Sequence, residues 1–212
     1  MSVFPKEPGL MTEDYHIYLC STMELKASYA RCCSLGMPVD LAKPQKNLVK
    51  ASFAHRLATN SLLLALTEQI ITPVCCTGPQ KNYIFILCDP ELAALKIFAA
   101  PDILATAEKD GVSPGTVFTE ESCGTNALAL AREHNRLVAI RGEQHYCKLF
   151  KKWLVASPVK DPGGKILGHL DISMPADKEL GLTVALLKTL LTSIEREFLL
   201  WVRLPGDTRI PY

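Results

Sequence analysis

WLVASPVKDPGGKILGHLDISM, residues 153–174, reads as two strands joined by a tight turn. Asp161-Pro162-Gly163-Gly164 supplies the turn: Asp bonds nearby backbone, Pro presets φ, and Gly tolerates positive φ. The flanking runs Trp153–Lys160 and Ile166–Met174 are a predicted antiparallel hairpin. In the second run Ile166, Gly168, Leu170, Ile172 and Met174 point one way, and Leu167, His169, Asp171 and Ser173 the other. The first set suits a core. The second has two readings: the polar wall of a pocket, or a solvated face on which Asp171 ties down loop backbone.

The neighbouring segments extend this hairpin into a sheet with helices around it. Asn82–Asp89 (NYIFILCD) is apolar on both alternating sets, which places it centrally among strands. Leu92–Phe98 and Arg136–Arg141 are further predicted strands, and Pro101–Lys109 and Ser122–Glu133 short helices. Longer helices are predicted over Thr12–Leu35, with Thr12 as N-cap, and over Gln45–Ile71, with Leu57, Leu64 and Ile71 seven apart. Ala176–Leu204 closes the chain. There Val184, Leu191 and Phe198 share one heptad position, and Leu180, Leu187, Ile194 and Trp201 another. That seam reads either as a dimer contact or as a face buried on its own domain. The class is α+β, with a helical lead-in over 1–44, a main domain over 45–204 and a tail over 205–212.

Hydrophobic residues make up 48% and charged residues 21%, ordinary for a soluble globular protein. A net charge of +1 gives no electrostatic reason to expect nucleic acid or an anionic membrane as a direct partner. The opening MSVFPKEPGL has no apolar signal core, and apolar runs such as Ser61–Leu66 fall short of the ~18 residues of a membrane span. The expected location is cytoplasmic. Eight cysteines are present without any C-x-x-C pair, so zinc-ribbon and thioredoxin readings lose their support. Cys32–Cys33 and Cys75–Cys76 are adjacent in sequence and too close for unstrained internal bridges. Reduced, mostly buried thiols are expected. No phosphate-binding G-x-x-x-x-G-K-[ST] loop occurs.

Three pieces form an ordered set: GVSPGTVFTEESCGTNALALA (111–131), RGEQHY (141–146) and ASPVKDPGGKILGHLDIS (156–173). Together they resemble the GAF sensor of sigma-54-dependent transcriptional activators of the acetoin- and dihydroxyacetone-regulator type. The matching residues are Glu120 or Glu121, Gly124-Thr125-Asn126-Ala127, Gly142-Glu143 with His145, Pro158-Val159-Lys160-Asp161 and Gly168-His169-Leu170-Asp171-Ile172-Ser173. Upstream, Ser28-Tyr29-Ala30-Arg31-Cys32 and Gly36 resemble the lead-in of the same regulators. Gln144 and His169 depart from the family pattern.

The resemblance implies a GAF-like fold: a central antiparallel sheet, long N- and C-terminal helices on one face, and a ligand pocket on the other. It implies a non-enzymatic regulatory domain that binds a small-molecule effector, pairs as a homodimer through terminal helices, and relays to an ATPase module absent from these residues. No cofactor is expected. The candidate ligand-binding residues are Phe118, Glu120, Cys123, Thr125, Asn126, His145, Tyr146, Trp153, His169 and Asp171. For Thr125 and Asn126, capping the following helix is an equal reading; for His145 and His169, a structural histidine is. Two other functions stay open: a metal, haem or redox sensor using Cys123, His145 and Cys147, and a thiol enzyme using Cys88, Cys123 or Cys147.

Overall fold

A computed structural model of the chain describes residues 15–75, 77–148, 153–175 and 179–203. The helix α1, Thr22–Ser34, begins at a capping box: Glu24 N–H donates to Ser21 Oγ at 3.2 Å and Ser21 N–H to Glu24 Oε2 at 2.7 Å. Its start therefore lies ten residues after Thr12, which is outside the described residues. Tyr15–Tyr18 forms a short 3-10 turn, and Leu19 bridges to Ala139 at the edge of the sheet. Gly36, at φ 67°, closes α1 as Met37 N–H returns to Cys32 O.

The helix expected over 45–71 is two helices, α2 (Lys50–Thr59) and α3 (Ser61–Ile71). Asn60 breaks them: its side chain donates to Arg56 O at 2.8 Å, competing with the helical ladder. Gln45–Leu48 is extended because Gln45 and Leu48 donate to the carbonyls of Ser122 and Gly115. Five strands follow: β1 (Ile84–Cys88), β2 (Ala94–Phe98), β3 (Val138–Arg141), β4 (Trp153–Lys160) and β5 (Ile166–Met174). Between β2 and β3 lie α4 (Pro101–Lys109), α5 (Glu120–Cys123) and α6 (Ala127–His134); α7 (Leu180–Arg203) ends the described chain. The single helix read over 122–133 is thus split at Gly124, which at φ 68° and ψ −165° adopts a conformation essentially confined to glycine. β2 begins two residues after Leu92, because Asp89 Oδ1 accepts from Glu91 and Ala93 N–H at 2.9 Å and wraps the turn around itself.

The strands form one antiparallel sheet in the order β2-β1-β5-β4-β3, with the predicted hairpin at its centre. Alternation divides it into two cores. Phe85, Leu170, Ile172, Met174 and Val155 meet α3 and α7 on one face, with Val184, Leu187, Leu191 and Ile194 buried against them. Gly168 permits this packing, since a Cβ there would lie 2.8 Å from Leu63 on α3 and 2.4 Å from the Cys88 carbonyl. On the other face Ile84, Ile86, Ile140, Leu154 and Ala156 meet α4 and α6. The architecture is the expected α+β sheet with α3 and α7 on one face, while α1 lies on the other side, against α5.

The seam on α7 is mainly core. Leu187 and Ile194 are wholly buried within this chain, which removes them from a dimer contact; Leu200, Trp201 and Val202 beyond them are exposed. Among the described residues no helix is long and apolar enough to cross a membrane.

Candidate functional site

A cavity of about 440 Å³ lies between the second face of the sheet and α4, within the usual size of a small-molecule site. Ile84, Ile86, Leu154 and Ser173 form its floor; Asp171 and Ala156, on the same face of the sheet, do not line it. Ile84, Ser173 and Leu154 are cross-strand partners, and Ile86, Asp171 and Ala156 are the next set. Partners on neighbouring strands share a face, so all six point toward α4 and α6. Ile103, Thr106 and Ala107 on α4 form the roof, and Asp40, Asp110 and Lys148 stand at the exposed rim.

The central strand carries a buried polar ladder into this layer. His169, Asp171 and Ser173 are all buried. The Ser173 hydroxyl donates to Asp171 Oδ2 at 3.0 Å, and Asp171 Oδ1 has no hydrogen-bond partner. Burial pushes the Asp171 carboxyl up to about 8, opposed in part by the Ser173 hydroxyl. Burial lowers His169 to about 4; the Asp89 backbone opposes this, although neither ring nitrogen reaches hydrogen-bonding geometry. Both groups are therefore uncharged at neutral pH. Of the two readings of this face, the solvated one falls: Asp171 is wholly buried, and its hydrogen bond goes to Ser173 rather than to loop backbone.

The motif residues upstream form a second cluster. Glu120 accepts from Arg31 Nε at 2.7 Å, from Arg31 Nη2 at 2.8 Å, and from the Ser28 hydroxyl. Ser28 Oγ lies 2.7 Å from Thr125 Oγ1. Asn126 donates to Phe118 O at 3.0 Å and Gly124 O at 2.9 Å, and its Oδ1 caps α6 by accepting from Ala129 N–H at 3.0 Å. A Cβ on Gly124 would lie 2.6 Å from Cys147 Sγ, so the clasp closes only around glycine. These contacts tie α1 to α5 and α6, and none of their side chains lines the 440 Å³ cavity. A shallower, open groove of about 760 Å³ runs outside them, past Arg31, Glu120, Arg132 and Glu133.

The relatives of the chain are regulators. It is 26% identical over 171 residues to a signal-transduction and transcriptional-control protein of Clostridium beijerinckii, covering 78% of this chain and 27% of that protein. It is also 26% identical over 150 residues to the acetoin dehydrogenase operon transcriptional activator AcoR of Bacillus subtilis (strain 168), covering 70% of this chain and 25% of AcoR. The chain thus spans about a quarter of the length of these relatives. No family model matches. Among solved structures, DhaR(N) in the E. coli DhaR(N)-DhaL complex superposes with a TM-score of 0.78 at 19% identity, over 84% of this chain and 62% of that one. The chain thus shares the fold of DhaR(N).

His169 and Asp171 do not line the cavity, and the remaining candidates also fall outside it. Phe118 and Cys123 are core residues beside α6. His145 is buried, with Nδ1 2.9 Å from Gly142 O, and burial lowers it to about 4. Half-buried Tyr146 packs beside Tyr29, ring centroids 5.9 Å apart. Trp153 pairs with Met174 and Arg141 at the start of β4, and its side chain lies outside the described residues. Burial raises Cys88 well above its ordinary value, Cys123 to about 12 and Cys147 to about 11, which disfavours the nucleophilic thiolate. Among the described residues no group of three or more His, Cys, Asp or Glu is placed to hold a metal ion.

The cavity is lined mostly by residues that sequence reasoning did not single out. Ile84, Ile86, Ile103 and Ala107 carry no signal that separates a chamber wall from ordinary core. Ser173 did carry one, since strand alternation puts it on the same face as Asp171.

Proposed function

We propose that this chain is the sensor region of a transcriptional activator and that a small metabolite binds in the 440 Å³ chamber. The observation that supports the reading best is the chamber itself: a largely apolar cavity with the Ser173 hydroxyl on its floor, in a GAF-like fold whose relatives are regulators. The same strand offers a relay. Ser173 faces the chamber, while Ile172 and Met174 face α3 and α7. A molecule that shifts β5 therefore acts on the packing of α7, and Glu195 on α7 also accepts from Lys160 N–H of β4 at 2.8 Å. The ATPase partner and the pairing of two copies are part of this proposal. Pairing would use the exposed end of α7 rather than its buried seam.

Magnitudes limit the design. A six-atom effector gains at most ~9 kcal/mol at the ligand-efficiency ceiling, and micromolar binding takes ~8. Reversing a 1:99 population takes ~5.5 kcal/mol of differential affinity. Most of the effector's affinity must therefore discriminate between the two states.

The test is a thermal-shift screen of small alcohols, ketones, carboxylates, amines and aromatics, repeated on Ala107→Phe, which fills the chamber from its roof. The expected result is a selective rise in melting temperature that the filled variant loses while staying folded. A rise that survives the filling would place the effector elsewhere.

A further inference from the structure

We propose that residues 40–44 form a strap that gates the chamber, with Leu41 as the side chain that closes its mouth. The inference rests on the sensor reading above and adds the route by which an effector enters. The strap lies between α1 and α2, and its Asp40, Leu41 and Ala42 line the space, Asp40 and Ala42 from the exposed rim. Each end is pinned. Upstream, Lys148 N–H donates to Val39 O at 2.9 Å and the Cys147 thiol to Pro38 O at 3.3 Å. Downstream, Gln45 N–H donates to Ser122 O and Lys46 N–H to Ser122 Oγ, both at 2.9 Å. Val117 N–H donates to Lys46 O at 3.1 Å, and Lys46 Nζ pairs with Glu121. Between these pins, among the described residues, the backbone makes one hydrogen bond, Leu41 N–H to Pro38 O at 3.2 Å.

The other walls are held more firmly. Ile84, Ile86, Leu154 and Ser173 belong to the three central strands of the sheet, paired on both sides. The roof helix α4 satisfies its own backbone and packs Ile103, Leu104 and Ala107 onto the core beneath it. The strap rests instead on side-chain contacts. Leu41 is half-buried against the small cluster of Cys32, Met37 and Cys147. The Lys43 stem lies along Gly111, just after α4, where a Cβ would come within 3.2 Å of it. Gly111, at φ 81°, leaves that seat open. A segment with few buried contacts and little backbone hydrogen bonding opens at lower free energy than the elements around it. Swinging out between its pins, the strap lifts Leu41 from the mouth and leaves the sheet and helices in place.

The experiment places a thiol in the roof of the full chain, Ala107→Cys, and follows its reaction with methyl methanethiosulfonate by peptide mass spectrometry. Ala107 faces the chamber, so the added sulfur has room. Native thiols calibrate the rate in the same sample: exposed Cys33 gives the unhindered reactivity, and wholly buried Cys88 and Cys123 report unfolding. The introduced thiol is expected to react more slowly than Cys33 and faster than Cys88 and Cys123. Adding Leu41→Ala should speed it about five- to tenfold, the equivalent of roughly half a leucine's burial, with Cys88 and Cys123 unchanged. Asp110→Ala, at the α4 side of the rim, should leave it unchanged. Labelling as fast as Cys33 before the strap is altered would mean a mouth that stands open. Labelling only as fast as Cys88 would mean a chamber reached through unfolding alone. Acceleration by Asp110→Ala in place of Leu41→Ala would put the entrance beside α4. Each of these three results overturns the strap and leaves the sensor reading to the thermal-shift screen, which tests it separately.

Discussion

Replacing Asp171 by Asn is expected to stabilise the protein, and increasingly so as pH rises. The carboxyl is wholly buried, and burial holds it at about 8 against an ordinary 3.8. The unfolded chain releases this proton near the ordinary value, whereas the folded chain keeps it until about pH 8. Across that window the native state holds the extra proton, so the group costs about 1.4 kcal/mol of stability for each pH unit gained. The penalty is absent below about pH 4 and complete above about pH 8. From pH 5 to pH 8 it amounts to roughly 3–4 kcal/mol, less whatever relaxation around the ionised group recovers. Asn matches the shape and never ionises. Urea unfolding of both proteins at pH 5, 6, 7 and 8 isolates the effect, because every other titrating group cancels in the difference. The gap should widen by about 3 kcal/mol. A gap that stays constant would mean that Asp171 ionises in the native state at its ordinary value, and that the layer beneath the chamber is not the dry, neutral environment inferred above.

Four further outcomes follow from the same structure. His169 and His145, held neutral down to about pH 4 by burial, should make stability fall as pH drops from about 6.5 toward 4, by up to ~3 kcal/mol each; single His→Gln variants should remove their share in acid titrations followed by circular dichroism. Glu120→Gln removes an anion that Arg31 and Ser28 both engage and should cost about 1–3 kcal/mol, and a double-mutant cycle with Arg31→Ala should show that the losses are not additive. Gly124→Ala forces an alanine into a glycine-only conformation and against Cys147 Sγ, so it should cost more than ~2 kcal/mol in chemical denaturation, with Cys147→Ala recovering only the contact portion. Leu187→Glu with Ile194→Glu should abolish cooperative unfolding rather than yield a folded monomer, because both side chains are wholly buried in their own chain.

The parts of the fold that the sequence carried were those with strong local chemistry. The hairpin over 153–174 rests on Asp-Pro-Gly-Gly and alternation, and α4 on Pro101 at its first turn, and both match the observed bounds. Boundaries failed where a side chain competes with the helical ladder or tertiary pairing overrides it. Ser21 caps α1 in place of Thr12, Asn60 divides α2 from α3, and loop carbonyls draw Gln45–Leu48 into extended pairing. The a/d period on α7 is open to two readings, since a helix on a sheet and a helix on a partner present the same stripe. At the site, residue types that bear hydrogen bonds drew the reading toward Glu120, Thr125 and Asn126. Those groups spend their capacity on Arg31, Ser28 and nearby backbone, joining α1 to α5 and capping α6. The chamber walls are aliphatic, and a sequence does not distinguish aliphatic residues beside a void from those packed solid. Asp171 and Ser173 were visible because strand alternation set polar groups on a face that had to be covered.

In the proposed mode of sensing, the effector occupies the space between the sheet and α4. Amide chemical-shift mapping of the labelled protein, titrated with whichever probe raises its melting temperature most, tests this directly. Perturbations are expected at Ile84 and Ile86, along Ile103–Val112 and at Leu154 and Ser173, which bound the cavity. Perturbations confined to the groove past Arg31, Glu120 and Arg132 would contradict the claim and move the sensing site to the outer face of the clasp.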